Sequence, residues 1–201
     1  MDFSEVRKAL ETRGFLVTVC QTKEAASQYL NEKIDGTSVG FGGSMTLKEM
    51  ELYDSLSRHN AVHSHLHTPQ GQTPDGVRAA AASAEVYLTS ANALAGTGEL
   101  INIDGTGNRV ASTLFGHKRV YFVVGRNKLA PTYDEALWRA RNIAGPKNAQ
   151  RLARKTPCAV KGDKCYDCKS PERICNALVT LWRPMTGCEA EVVLVDEELG
   201  Y

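Results

Sequence analysis

The feature that most constrains the fold of this chain is the alternation of amphipathic helical stretches with short apolar runs along its length. The runs FLVTVC at 15–20 and RVYFVV at 119–124 are typical of buried strands, whereas residues 3–13 place Val6 and Leu10 on one helical face. Alternating strands and helices indicate an α/β protein. We therefore predict a single α/β domain over residues 1–201, with an open, mostly parallel sheet flanked by helices.

The other predicted elements follow the same patterns, with turn and capping residues at their ends. Further strands are predicted at 37–41, 61–66, 86–89, 99–104, 177–182 and 190–195, the last two as a closing pair. Further helices are predicted from Thr22, from the end of the segment GFGGS to about Arg58, from Pro74, and over 132–144 and 146–154, with a break at Gly145.

The charge balance and the hydropathy pattern exclude several classes of protein. The chain carries 24 Lys and Arg against 23 Asp and Glu, which gives no electrostatic basis for binding nucleic acid. No apolar stretch approaches the roughly 20 residues of a membrane span, and the charged N-terminus does not look like a signal peptide. We therefore expect a cytoplasmic protein. In that reducing compartment, clustered cysteines favour metal or redox chemistry over structural disulfides.

Four of the six cysteines lie within 18 residues, separated by gaps of six, two and six residues. Four thiolates so placed can hold either a tetrahedral zinc ion or a 4Fe–4S cluster. The same thiols could instead form a redox-active disulfide pair or stay unliganded. The spacing matches neither the ferredoxin run nor the paired C-x2-C of zinc ribbons, so it predicts a metal without identifying it. The predicted ligands, in a cysteine-rich loop at 155–176 within the domain, are Cys158, Cys165, Cys168 and Cys175.

A glycine-rich segment, Gly40 to Ser44, follows a predicted strand and precedes a predicted helix. Glycines at such a position let a ligand approach the backbone, and a capped helix N-terminus favours an anion. The segment therefore predicts a pocket for a phosphate or a carboxylate. A tight turn before a helix capped by Ser44, or by a capping box of Thr46 and Glu49, explains the same residues without a ligand.

A second polar segment, INIDGTGNR at 101–109, interrupts a strand-rich region. Strand alternation places Asn102 and Asp104 on one side, with Arg109 following closely. Together with Glu99, these residues offer carboxylates, an amide and a guanidinium for binding or catalysis. The structural interpretation is an Asp–Gly turn in which Asn92 and Asn108 satisfy the backbone of the loop.

The histidines and the two remaining cysteines are less specific. His63, His65 and His67 share one face if the chain is extended there, which fits a metal site or an exposed edge strand. His117 is expected to face solvent. Cys20 is expected to be buried, and Cys188 to lie outside the cysteine cluster.

Three long segments carry a resemblance to a known family. GFGGSMTLKEM, LTSANALAGTGELINIDGTGNRVA and VYFVVGRNKLAPTYDEALWRARNIAGPKNAQRL closely resemble the LUD-domain family, of the lactate utilisation protein C type. The ending TPCAVKGDKCYDCKSPERICNALVTLWRP resembles the branch of this family that carries cysteines. The resemblance covers nearly the whole chain and is weakest at residues 58–75, which include the three histidines.

The resemblance implies a sheet related to the phosphosugar isomerase and CoA-transferase fold, with an anion site at the glycine-rich loop and the strand ends. The family is linked to the oxidation of lactate to pyruvate through an iron–sulfur protein complex. Glu99, Asp104 and Arg109 are then the expected catalytic residues. The expected substrate-binding residues are Gly42, Gly43, Ser44, Asn92, Asn102, Gly105, Asn108, Arg126 and Asn127.

Three functions follow as hypotheses. The first is a LUD-type redox protein of organic-acid metabolism that binds a small anionic metabolite and an iron–sulfur partner protein. Its four cysteines hold a 4Fe–4S cluster that transfers electrons or activates the substrate. The second is a non-redox isomerase, lyase or transferase with a structural zinc ion, in which Asp104 or Glu99 is the acid or base. The third is a regulatory subunit without catalysis.

Overall fold

The computed structural model describes residues 2–201 and contains two β-sheets with helices packed against them. Its strands are β1 (Leu16–Cys20), β2 (Ser38–Phe41), β3 (Ala61–His63), β4 (Val86–Thr89), β5 (Ala93–Ala95), β6 (Leu100–Asp104), β7 (Arg119–Gly125), β8 (Leu129–Ala130), β9 (Ala177–Leu181) and β10 (Glu189–Val195). Its α-helices are α1 (Phe3–Thr12), α2 (Lys23–Lys33), α3 (Met45–Glu49), α4 (Leu52–Leu56), α5 (Pro74–Ala82), α6 (Asn108–Leu114), α7 (Tyr133–Arg139), α8 (Gly145–Arg151) and α9 (Pro157–Lys161).

The larger sheet has six parallel strands in the order β1-β10-β7-β4-β2-β3. Its central strands are apolar along nearly their full length, because both faces are covered. Along β7, Tyr121 and Val123 pack on the side of α2, α3 and α4, whereas Phe122 and Val124 pack on the side of α1. The predicted α/β class and parallel sheet flanked by helices are confirmed.

The smaller sheet has four strands in the order β8-β5-β6-β9 and is mixed. In the chain, β5 and β6 lie between β4 and β7, and β8 and β9 lie between β7 and β10, so the smaller sheet is formed by two insertions into the larger one. Leu94 of β5, Leu100 of β6 and Leu181 of β9 share a hydrophobic cluster with Phe122 of β7. The two sheets are therefore joined by common apolar packing.

Three predicted elements differ from the structure. The helix expected to reach Arg58 is divided into α3 and α4, because Glu51 between them adopts a left-handed conformation with φ of 52°. The strand expected at 61–66 ends at His63. Gly145 does not break its helix: φ is −59°, and a π-helical turn at Ala140–Ala144 joins α7 to α8.

The two C-terminal strands exist, but they do not form the predicted closing pair. β9 pairs with β6 in the smaller sheet, whereas β10 lies between β1 and β7 in the larger one. The apolar run of β10 explains this position, since a strand buried on both faces suits the centre of a parallel sheet. The predicted cysteine-rich loop at 155–176 contains a short helix, α9, which carries Cys158, and only residues 162–176 after it lack regular secondary structure. No helix within residues 2–201 combines the length and apolarity needed to cross a membrane.

Candidate functional site

A polar cavity of about 600 Å³ lies at the carboxyl ends of β2, β3, β4 and β7. Ligands of open α/β sheets bind at this edge, because the loops that follow parallel strands converge there. Gly43 and Ser44 follow β2, His65 follows β3, Ser90 follows β4 and Lys128 follows β7, and all of them line the cavity. The fold thus brings together polar residues that are far apart in the chain.

The lining of the polar cavity is strongly cationic. Its basic side chains outnumber its acidic ones, Asp104 and Glu172, by six to two. A concave surface lined by charge of one sign concentrates ligands of the opposite sign. The cavity is therefore suited to an organic anion. The basic residues are Arg78, Arg109, Lys128, Arg151, Arg154 and Arg173.

Only the last two residues of the glycine-rich segment, Gly43 and Ser44, line the polar cavity. A Cβ atom on Gly42 would approach Thr89 Oγ1 to 2.9 Å and Arg109 Cγ to 3.0 Å, so this glycine is required for packing. Ser44 caps α3 by accepting a hydrogen bond from the Leu47 amide at 3.3 Å. The predicted capping box of Thr46 is wrong, because Thr46 lies inside α3. Because α3 has only five residues, its N-terminus is not by itself an anion site. The attraction of the cavity for an anion comes from its cationic side chains.

Arg109 uses its guanidinium to join the segments around the cavity. It donates to the carbonyl oxygens of Ser90 (3.3 Å) and Ile103 (2.6 Å), to Asn92 Oδ1 (3.1 Å) and to Asn102 Oδ1. Its Nε lies 3.7 Å from Asp104 Oδ2. Since these donors are committed to acceptors within the protein, Arg109 contributes structure and positive charge to the cavity.

Asp104 is similarly committed. Its Oδ1 accepts hydrogen bonds from the amides of Thr106 (3.1 Å) and Gly107 (3.0 Å), and its Oδ2 accepts one from the Val110 amide (3.2 Å). Three backbone amides and a neighbouring guanidinium therefore fix the position of this carboxylate. This geometry matches the structural interpretation of the motif, an Asp–Gly turn that also holds the start of α6.

Glu99, the other expected acid or base, lies away from the cavity at the opposite end of β6. It forms an ion pair with Arg13 and accepts a hydrogen bond from the Thr97 hydroxyl. Arg13 also donates to the carbonyl oxygens of Thr97 and Trp182. The structure therefore assigns Glu99 to a contact that joins α1 to the smaller sheet.

The expected substrate-binding residues divide into two groups. Asn92, Gly105 and Asn108 line the polar cavity with Gly43 and Ser44. By contrast, Arg126 pairs with Asp196 at 3.1 Å, and Asn127 binds the backbone of Leu199 and Gly200. Those two residues therefore hold the C-terminal segment in place. The last residue of that segment, Tyr201, lines the polar cavity.

Asn102 is fully buried beside the cavity, and its Oδ1 accepts from Arg109. Its Nδ2 donor has no hydrogen-bond partner among the described residues. A buried, unsatisfied amide is costly in free energy, about 1–3 kcal/mol. The predicted juxtaposition of Asn102 with Asp104 is present, with Arg109 as the group that joins them.

Lys128 is a residue of the cavity that the sequence patterns did not single out. It ends the short 3-10 turn Arg126–Lys128 that follows the apolar strand β7, and the residue is 4% exposed. Its Nζ donates hydrogen bonds to Thr46 Oγ1 at 2.6 Å and to Ser90 Oγ at 2.9 Å. Burial, with the charges of Arg139 and Arg109, lowers the pKa of Lys128 to about 7, although Glu49 opposes this shift. A lysine at the carboxyl end of a central apolar strand is the signal that could have identified it.

The three clustered histidines do not share one face. His65 lines the polar cavity, where burial and the charge of Arg78 lower its pKa. His67 instead stacks on the ring of Tyr53, with centroids 3.8 Å apart. The expectation for His117 is wrong, because this residue is 6% exposed, with Nδ1 2.7 Å from the carbonyl oxygen of Ala84. Cys20 is buried as expected.

The four clustered cysteines line a second cavity, of about 330 Å³, which we call the cysteine cavity. Cys165 Sγ accepts a hydrogen bond from the Asp167 amide at 3.4 Å and lies 3.9 Å from a guanidinium nitrogen of Arg141. Cys158 Sγ lies 3.3 Å from the Thr156 hydroxyl. All six cysteines are free thiols, and Cys188 lies outside this cavity. Burial raises the pKa of the Cys175 thiol, against the opposing charge of Arg173.

The cysteine cavity and the polar cavity share a wall formed mainly by Arg173, Ile174 and Asn176. Arg173 donates to the carbonyl oxygens of Cys168 (2.8 Å) and Cys175 (3.0 Å). A Cβ atom on Gly105 would lie 2.8 Å from the carbonyl oxygen of Ile174, so this glycine permits the close approach of the cysteine loop. The two cavities are thus separated by a single layer of chain.

No three His, Cys, Asp or Glu side chains within residues 2–201 are placed to hold one metal ion. The four thiols nevertheless border one space, with Arg141 and Arg173 beside them. A closed tetrahedral zinc site would bring each sulfur to about 2.3 Å from the same ion.

Comparisons with known proteins agree with the resemblance seen in the sequence. The family profile described as LUD domain matches residues 3–195. A search of curated proteins gives no match. Among solved structures, the chain is similar to a DUF162 family protein from Deinococcus radiodurans, with a TM-score of 0.50 and 14% identity over 97% of this chain and 99% of that chain. At this identity the likeness shows the fold alone. Since the profile spans nearly all of the sequence, the chain belongs to the LUD domain family.

Proposed function

We propose that this LUD-domain protein is a cytoplasmic redox protein of organic-acid metabolism. The cysteine cavity holds a 4Fe–4S cluster, and the polar cavity binds a small anionic metabolite such as a lactate-like carboxylate. The observation that carries this proposal is the wall that the two cavities share, Arg173 to Asn176. It brings a set of thiols next to a cationic substrate site.

The cysteine cavity offers the donor set that a 4Fe–4S cluster needs, four cysteine thiols around one space. In a 4Fe–4S cluster each cysteine binds a different iron, so the four sulfurs surround a volume instead of meeting at one point. The cavity of about 330 Å³ offers such a volume. Arg141 and the Asp167 amide lie beside Cys165 Sγ, and Arg173 lies beside Cys175, so positive charge and a hydrogen bond are placed around the sulfurs, as outer groups around bound metals are.

The polar cavity suits a carboxylate or a phosphate. Its Arg and Lys side chains supply charge, and Asn92, Asn108 and Asn148 supply amide groups that can orient a polar ligand. The predicted relation to phosphosugar isomerase and CoA-transferase folds is part of this proposal, since such proteins bind anions at the same edge of the sheet. In this proposal Asp104 and Arg109 position the loops of the site.

Bound in the cysteine cavity, a cluster would supply one-electron transfer. Oxidation of a 2-hydroxy acid to a 2-oxo acid releases two electrons and two protons, and in this proposal an iron–sulfur partner protein accepts the electrons and the solvent takes up the protons. Arg173 is the side chain that fixes both the cysteine loop and the shared wall.

Anaerobic purification followed by iron and sulfide analysis tests the cluster. We expect about four irons with matching sulfide. Cys165→Ser should lower the iron content, whereas Cys188→Ser, outside the cavity, should leave it unchanged. Zinc in place of iron would overturn the redox function, as would a metal content that does not depend on Cys165.

A second function is favoured by one observation: the polar cavity contains a buried lysine and a half-buried histidine, Lys128 and His65, independently of the cysteines. A non-redox isomerase, lyase or transferase with structural zinc would use these groups. It predicts that metabolite turnover persists in a Cys165→Ser variant that remains folded. Loss of electron transfer with unchanged anion binding in that variant would favour the redox function instead.

A further inference from the structure

Lys128 lies in an environment that favours an uncharged amine. Its hydrogen-bond partners, Thr46 Oγ1 and Ser90 Oγ, are neutral hydroxyls. Thr46 Oγ1 itself donates to the carbonyl oxygen of Leu199 at 3.2 Å, so it is available to accept from Nζ. Two largely buried guanidinium groups, of Arg109 and Arg139, add positive charge around the same point. A third cation there would lack solvation, which disfavours the ammonium form.

The hydrogen bonds also orient the amine. A neutral amine has two N–H groups and one lone pair. When both N–H groups are donated to Thr46 and Ser90, the lone pair takes the remaining direction. Lys128 forms part of the wall of the polar cavity, together with Ser90 and Ala91. The pKa of about 7 agrees with a substantial fraction of free amine at neutral pH. Desolvated lysines of this kind act as nucleophiles toward carbonyl compounds.

The cavity supplies the second requirement, a site for the acid group of such a compound. Arg78, Arg151 and Arg154 border the cavity with Lys128. Arg78 Nε is buried and has no hydrogen-bond partner among residues 2–201, although another nitrogen of the same guanidinium pairs with Asp75. A carboxylate bound by these groups would lie in the same cavity as Lys128.

We propose that Lys128 is a nucleophilic lysine that condenses with the carbonyl group of a 2-oxo acid bound in the polar cavity. Nζ attacks the carbonyl carbon, and the resulting carbinolamine loses the carbonyl oxygen as water, using two protons from the amine and the medium. The product is a protonated imine between Lys128 and the acid. This inference rests on the proposed function of the polar cavity as an organic-acid site, and it specifies 2-oxo acids as ligands.

Borohydride trapping of the intact protein tests the proposal. Protein is incubated with pyruvate or glyoxylate and reduced with borohydride, which delivers hydride to the imine carbon and gives a stable secondary amine. We expect a covalent adduct, with the mass of the acid less one oxygen atom, on the peptide that contains Lys128. Lys128→Arg keeps a basic side chain and should abolish the adduct. Lys147→Arg, at an exposed lysine of α8, should retain it.

Two independent measurements separate this inference from the proposed function. Calorimetry of pyruvate binding to unmodified protein reports on the polar cavity, and reductive methylation with formaldehyde at neutral pH reports on the amine alone. Pyruvate binding without an adduct at Lys128 would overturn the imine but retain the organic-acid site. Preferential methylation of other lysines over Lys128 would overturn the nucleophilic amine. If pyruvate neither binds nor forms an adduct, both the imine at Lys128 and the organic-acid site are overturned. Iron analysis would still decide whether the cysteine cavity holds a cluster.

Discussion

The side-chain amide of Asn176 donates a 2.9 Å hydrogen bond to the carbonyl oxygen of Gly105. The backbone amide of Asn176 donates to the carbonyl oxygen of Asp104, also at 2.9 Å. The residue after Cys175 is therefore held directly on the turn that borders the polar cavity. This contact couples the cysteine loop to the turn at Asp104 and Gly105 through the backbone, without a flexible connection.

Gly105→Ala is expected to disturb both cavities at once. The new Cβ would lie 2.8 Å from the carbonyl oxygen of Ile174, so the cysteine loop would have to move. Overpacking of this kind lowers the free energy of unfolding by about 1–3 kcal/mol. Iron content and pyruvate affinity, measured on the same preparation, should fall together. Gly76→Ala, at an exposed glycine of α5 that lines neither cavity, is the control. A Gly105→Ala protein with unchanged iron content and affinity would contradict the coupling.

Asp104→Asn should mainly lower stability. The substitution removes the charge that offsets Arg109 and the acceptor of one of three backbone amides, within a largely buried turn. Breaking such a buried pair costs about 3–5 kcal/mol. Denaturant unfolding measures the change, and Asp134→Asn, at an exposed position in α7, provides the comparison. Full stability combined with a large loss of turnover would instead identify Asp104 as an acid or base.

Glu99→Gln should weaken the contact between α1 and the smaller sheet without changing the affinity for the ligand. The ion pair with Arg13 is lost, while most of the packing remains. We expect a decrease of about 1–3 kcal/mol in the free energy of unfolding, typical of a partly buried charged hydrogen bond. Calorimetric affinity for pyruvate should stay at the wild-type value. A lowered affinity in a folded Glu99→Gln protein would indicate that Glu99 takes part in ligand binding.

Lys128→Met should stabilise the protein in a pH-dependent way. The pKa of Lys128 is about 7 when folded, whereas an unfolded lysine titrates near ~10.4. Below about pH 7 both states hold the proton, and the folded state bears the full cost of a buried ammonium, on the order of 5 kcal/mol before lost hydrogen bonds. Between the two pKa values the amine is protonated only in the unfolded state. The free energy of unfolding of the wild type therefore rises with pH, and the cost of the buried ammonium disappears.

The advantage of Lys128→Met should therefore be largest near about pH 6 and fade toward about pH 10. Urea unfolding across this range measures it, with Lys147→Met as the control for an exposed lysine. A difference between Lys128→Met and wild type that is constant with pH would mean that the lysine titrates alike in both states.

Gly145→Ala should stabilise the continuous helix from α7 to α8. The residue has helical dihedral angles, and the nearest atom to a new Cβ would be the Ala140 carbonyl oxygen at 3.5 Å, an ordinary contact. Replacing a helical glycine by alanine raises stability by about 0.5–1 kcal/mol. Thermal unfolding measures the effect. A loss of stability would indicate that the chain does break at Gly145, as its sequence predicts.

Strand and helix positions were largely predictable, because they depend on periodicity that each segment carries by itself. The exceptions have local causes that apolar patterns do not encode, such as the left-handed Glu51 and the π-helical turn before Gly145. The pairing of β9 and β10 was wrong for another reason. Neighbours in sequence need not be neighbours in a sheet, and burial on both faces moved β10 to the centre.

The candidate site was predicted in composition but not in roles. Polar residues near Asp104 and Ser44 do line one cavity. Ser44 follows the carboxyl end of β2, and Asp104 is the last residue of β6. Their functions depended on hydrogen-bond partners, which a sequence does not show. Arg109 and Asp104 proved to be committed to the protein, and Lys128, which follows an apolar strand, became prominent only once its buried partners were known.

The sequence by itself determined the α/β class, the family and the clustering of four cysteines within 18 residues, since these depend on residue types and spacing along one dimension. The tertiary structure decided that the cysteine cavity adjoins the polar cavity and that Glu99 lies elsewhere. It also decided that Lys128 is buried among hydroxyls and guanidinium groups. The physical reason is that distances between distant segments, and the solvation and pKa of a buried group, are set by the packing of the whole chain.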